Sequence, residues 1–94
     1  MSVYRITNFT SSDMSKASQY GETLRDIISG AGAEFIDIVS LGDGKGVVVA
    51  KYANQAAMEA AGELSKQAFG KMIEAGVVNG DSIAMESGEV VLAF

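Results

Sequence analysis

Along this chain the apolar residues recur at two periods, and the order in which those periods alternate limits the possible folds more than any other feature. Val3 to Phe9, "VYRITNF", is rich in β-branched and aromatic residues and reads as a strand. From Asp13 the apolar positions Met14, Ala17, Tyr20, Gly21, Leu24, Ile27 and Ile28 form a helical stripe, with Lys16, Glu22, Arg25 and Asp26 mostly on other faces. Thr10 and Asp13 have capping-box spacing at its start, and Gly30 or Gly32 can supply a left-handed cap at its end. Glu34 to Leu41 and Gly46 to Tyr52 return to the strand pattern. Asn54 is placed to cap a second helix, whose stripe is Ala57, Ala61, Leu64, Ala68, Phe69, Met72 and Ile73. After the breaker "AGVVNGD", the segment "SIAMESGEVVLAF" is a last strand. Its interruption at Ser87-Gly88 reads as one bulged strand or two short ones.

The order βαββαβ is the ferredoxin-like α+β plan, which predicts an antiparallel sheet of order 4-1-3-2 with two helices on one face. The halves also repeat weakly: strand, polar cap, helix, Ala-Gly, strand. A chain of 94 residues, with 48% hydrophobic and 20% charged residues, reads as one globular domain over residues 1–94.

The same composition narrows the chemistry. There is no cysteine for a disulfide or thiolate, and no histidine, the commonest general base and metal ligand. No calcium-type ladder of acids appears, so neither a metal nor another cofactor is expected. The start "MSVYRITNFT" lacks a basic region followed by an apolar run, and no apolar run approaches the about 20 residues that span a bilayer. The net charge of −5, with no cluster of Lys or Arg, speaks against nucleic acid and anionic membranes as partners. Cytoplasmic residence is the corresponding expectation.

"GDGKG", Gly42 to Gly46, invites comparison with a phosphate loop. Such a loop opens a helix and places Ser or Thr after its lysine; here Gly follows Lys45 and a strand follows Gly46. The stretch reads as a hairpin turn. A two-residue loop, Asp43-Gly44, places Asp37 opposite Ala50; a three-residue loop, Asp43 to Lys45, places Asp37 opposite Lys51. The second is preferred because it pairs opposite charges across the strands.

In that register one sheet face carries Tyr4, Ile6, Ile36, Ile38, Val48, Ala50, Tyr52, Ile83 and Met85, and belongs under the helices. The other carries Val3, Arg5, Thr7, Phe9, Phe35, Asp37, Val39, Leu41, Val47, Val49, Lys51, Ala84 and Glu86. Most of these are apolar too, whereas an antiparallel sheet facing water shows polar residues there. A second copy of the chain in a twofold homodimer is the expected cover. One charge falls on each strand of this face, in the sheet order Glu86, Arg5, Lys51, Asp37. They form either a polar niche that orients a small carboxylate or carbonyl ligand, with Arg5 as its fork, or an internal salt-bridge network that sets dimer register. Tyr4, Tyr20 and Tyr52 read as core, with pocket lining between helices and sheet as the competing role. Asn8 ends the first strand, where a turn role competes with ligand contact.

Taken with the strands "VYRITNF", "EFIDIVSLGDGKGVVVAKY" and "SIAMESGEVVLAF" and the two amphipathic helices, this pattern resembles the dimeric α/β-barrel superfamily. Its members include antibiotic-biosynthesis monooxygenase-like, muconolactone isomerase-like and stress-responsive barrel proteins. The resemblance covers the whole chain and is architectural; members that use a catalytic or haem-binding histidine have no counterpart here. It implies a small homodimeric barrel that binds or transforms a small organic molecule, carbonyl, carboxylate or aromatic, without a metal. Arg5, Asp37, Lys51, Glu86 and Tyr52 are then the candidate ligand-binding residues. The competing reading is a non-catalytic dimeric scaffold or a regulatory ligand-sensing module.

Overall fold

The computed structural model describes residues 1–94. Its strands are β1 (Val3–Thr10), β2 (Phe35–Gly42), β3 (Lys45–Tyr52) and β4 (Ala84–Glu89). They form one antiparallel sheet in the order β2-β3-β1-β4, which is the ferredoxin-like order expected. Each expected helix is interrupted once. The first divides into α1 (Met14–Thr23) and α2 (Arg25–Ser29) at Leu24; the second divides into α3 (Gln55–Ala60) and α4 (Gly62–Glu74) at Ala61. All lie on one face of the sheet. No helix is long and apolar enough to cross a membrane.

The caps show the local chemistry. Asn54 Oδ1 accepts from Ala57 N at 2.9 Å, as expected. At α1 the cap is Asp13 itself, whose Oδ1 accepts from Lys16 N at 3.1 Å, and not Thr10 with Asp13 as the reciprocal acid. Gly32, at φ 74°, takes the left-handed position after α2, while Gly30 stays right-handed.

"GDGKG" is a hairpin turn. Asp43 and Gly44 both have positive φ, 54° and 74°, the signature of a two-residue type I′ turn. The expected three-residue loop does not form, and the ladder is not that of a plain two-residue loop either. A bulge between Ser40 and Gly42 shifts the strands, so Asp37 pairs with Val49 and Lys51 with Phe35. β4 runs through Ser87 and Gly88 without a break, opposite Arg5 and Tyr4.

The largest departure is in β1, which is turned over relative to the expectation. Val3, Thr7 and Phe9 are buried beneath the helices, and Tyr4 and Ile6 lie on the outer face. Pairing opposite Phe9 explains this. Gly46 is its β3 partner, and a Cβ there would stand 2.4 Å from the Phe9 ring, so the ring occupies the space that the glycine leaves. That pair sets the β1–β3 register and, through it, the inward row Val3, Arg5, Thr7, Phe9. The expected faces of β2 and β3 hold, because the true register differs from the expected one by an even number of residues.

The core has two clusters. Phe9, Ala17, Leu24, Ala68, Met72, Val77 and Val78 form one; Val3, Ala31, Ala50, Tyr52, Met58 and Ala61 form the other. Arg5 and Thr7 lie on β1 between the Val3 and Phe9 ends, at the seam.

Candidate functional site

The seam holds a cavity of about 60 Å³ between sheet and helices. Its walls are mostly apolar, with Ile36, Ile38, Val48, Ala50 and Tyr52 from the sheet and Ile28, Leu64, Ala68, Phe69 and Met72 from the helices. The polar side chains at the wall are Arg5, Thr7 and Ser65, together with the Tyr52 phenol. This is room for a few atoms beyond one water, the size of a carboxylate or carbonyl head group.

Arg5 dominates the site. Its Nη1 donates to Ser65 Oγ on α4 and its Nη2 to the Met58 carbonyl on α3, each at 3.2 Å. The guanidinium carbon lies 6.0 Å from the Tyr52 ring centroid, within reach of a cation–π attraction. No carboxylate pairs with it: the ion pairs of the chain are Arg25–Glu22 and Lys51–Glu34. A partly buried guanidinium has five donors, and two are used by these contacts.

The expected row Glu86, Arg5, Lys51, Asp37 therefore does not exist as a row. Arg5 points to the helices. Glu86, opposite Ile6, lies on the outer face with Lys51 and Asp37. Lys51 Nζ pairs at 3.5 Å with Glu34, not with Asp37. Lys51 has Tyr4 on β1 and Phe35 on β2 as its ladder partners, and their rings meet edge-on at 6.1 Å. Tyr4 thus lies outside the helix–sheet space where it was expected. Tyr20 packs at the edge of the Phe9 cluster, and Tyr52 alone of the three lines the cavity. Asn8 is exposed opposite Ala84 and Val47. Of the five candidates, Arg5 and Tyr52 come together; Asp37, Lys51 and Glu86 stay on the other side of the sheet.

Ser65 and Thr7 were missed from the sequence. A signal existed: Ser65 follows Leu64 on the inward stripe of α4, and a hydroxyl on a buried row asks for a partner. No three acidic side chains converge as a metal ligand set would.

A second depression, of about 330 Å³, lies beside the free edge of β2. Met14, Ser18 and Gly21 of α1 form one side, Ile36 and Ile38 the floor, and Glu22 and Arg25 the rim. Arg25 donates to both oxygens of Glu22, at 2.9 and 2.6 Å, and this hydrogen-bonded charge holds the Glu22 carboxyl below its ordinary range. The depression shares Ile28, Ile36 and Ile38 with the Arg5 cavity.

No protein-family model matches this sequence, and no curated protein matches it. Solved structures match it in shape. SnoaB, a cofactor-independent oxygenase from Streptomyces nogalater solved as a point variant, is 13% identical, with a TM-score of 0.71 over 98% of this chain and 95% of that one. A dimeric ferredoxin-like protein from an uncultured marine organism is 16% identical, with a TM-score of 0.69 over 99% and 90%. A candidate antibiotic biosynthesis monooxygenase from Caulobacter crescentus is 15% identical, with a TM-score of 0.67 over 97% and 91%. The fold is thus that of the dimeric ferredoxin-like and antibiotic-biosynthesis monooxygenase-like proteins.

Proposed function

We propose that this chain works as a homodimer that binds a small organic molecule through a carbonyl or carboxylate oxygen, without a metal, in the cavity beside Arg5. One observation carries the reading: a partly buried guanidinium with no carboxylate partner faces a mostly apolar cavity. Such a charge is costly to leave uncompensated, and an oxygen-bearing ligand compensates it with charge-assisted hydrogen bonds. Tyr52 supplies a flat wall and Ser65 a second polar contact. The dimer is supported by the outer sheet face, where Ile6, Phe35 and Val39 stand exposed on a sheet whose other face is already covered by helices. The neighbours described as dimeric support the same arrangement.

A second reading has its own observation. Both hydrogen bonds of Arg5 tie β1 to the α3–α4 pair, which suits a clamp in a non-catalytic scaffold or sensing module. Titration with formate, acetate and benzoate, followed by amide shifts around Arg5 and Ser65, separates the two. Ligand binding predicts saturable shifts that weaken by about tenfold or more in Arg5→Met, while native mass spectrometry still finds the dimer. Absence of any shift in the unsubstituted protein, with Arg5→Met lowering the unfolding midpoint, establishes the clamp instead.

A further inference from the structure

β1 places two polar side chains in the wall of the seam cavity, and only Arg5 is tied by side-chain contacts within the chain. Thr7, two residues further along the same inward row, is 1% exposed and borders the same cavity. Its ladder partners are Val48 on β3 and Met85 on β4, both apolar. Its hydroxyl takes part in none of the side-chain hydrogen bonds of the chain. Yet every fully buried side-chain nitrogen and oxygen has a partner. The Thr7 oxygen is therefore not sealed, and the space that Thr7 borders is the cavity.

The strand does not require this hydroxyl. Valine has the same branched shape and is also a strand former. On a row that is buried and apolar at Val3 and Phe9, a hydroxyl without a partner lowers stability where valine does not. The hydroxyl is compensated when a polar atom enters the cavity beside it.

We infer that Thr7 is a specificity-determining contact of this site, and that the ligand is a short hydroxy or oxo acid, of the size of glycolate or glyoxylate. Its carboxylate lies on Arg5 and its second oxygen on Thr7. The inference rests on the Arg5 reading above and narrows it from any oxygen-bearing ligand to one with two separate oxygen positions. The spacing suits such a molecule. Arg5 and Thr7 are alternate residues of one strand, so their Cα atoms stand about 7 Å apart, with the cavity beside both. A threonine hydroxyl donates to a keto oxygen, and either donates to or accepts from an alcohol.

Glycolate and acetate differ by a hydroxyl, and Thr7→Val removes the hydroxyl opposite it while keeping the branched shape. Amide shifts around Arg5, titrated with each acid, give the affinities to compare. Glycolate is expected to bind about tenfold tighter than acetate. Thr7→Val should abolish that difference and leave acetate unchanged, whereas Thr7→Ser, which keeps the hydroxyl, should retain it. Thr7→Val should also unfold at no lower a temperature than the unsubstituted protein. Glycolate no tighter than acetate, or a preference that survives in Thr7→Val, overturns the Thr7 contact and leaves the Arg5 reading standing. So does a Thr7→Val that weakens both acids alike and unfolds earlier, which assigns the hydroxyl to structure. If neither acid shifts any amide of the unsubstituted protein, the Arg5 reading falls and this one with it.

Discussion

β2 and β3 are neighbours in one hairpin and are similarly rich in branched aliphatic residues, yet they meet opposite fates. β3, "KGVVVAKY", lies between two strands; its inward row ends in fully buried Tyr52, and no residue of β3 but Lys45 is exposed. β2, "FIDIVSLG", has exposed residues at every position but Ile36. Composition does not distinguish them. Position does: β3 is central, whereas β2 is an edge whose inward row is only partly reached by α1 and α2. An apolar strand that its own chain does not cover is evidence of a partner, and the outer face of β2, with Phe35 and Val39, belongs to the surface on which the homodimer is proposed.

The contrast can be broken or sharpened by measurement. The largest effect is expected in β3. Tyr52→Ala removes a ring that is 1% exposed and should cost about 3–5 kcal/mol in denaturant unfolding. A loss below about 1 kcal/mol would show that the central strand is not the core of the fold. In β2 the outcome should be different in kind. Val39→Asp puts a charge on the exposed outer face, so the single chain should change stability by about 0.5 kcal/mol or less while the dimer weakens by about a hundredfold. Sedimentation over a concentration series reads this; an unchanged dimer would place the interface elsewhere. The smallest effect belongs to the rim beside β2. Arg25 lowers the Glu22 pKa from its ordinary 4.5 by hydrogen bond and charge. Because the folded value is the depressed one, the stabilisation is present above about pH 4.5 and is lost as pH falls through the folded value. The pair is fully exposed, so Glu22→Gln should leave neutral-pH stability almost unchanged and remove only a small part of the acid-side decline.

Much of this architecture is legible from local pattern. The alternation of periods yields the element order and sheet order, Asn54 announces the second helix, and Asp43-Gly44 locates the hairpin. The inward and outward rows of β2 and β3 follow from alternation as well. The site is less legible, and β1 is the reason. Its odd row, Val3, Arg5, Thr7 and Phe9, and its even row, Tyr4, Ile6, Asn8 and Thr10, each mix apolar with polar residues, so the pattern is balanced between the two orientations. Alternation states which residues share a face; it does not state which face meets the helices.

The sequence by itself determined the βαββαβ order, a hairpin within Gly42 to Gly46 and an apolar surplus on the outer face of the sheet. Only the tertiary structure decided that Arg5 faces the helices and Asp37, Lys51 and Glu86 do not. The Phe9 ring needs the space over Gly46, on a strand distant in sequence, and that contact fixes register, face and with them the cavity.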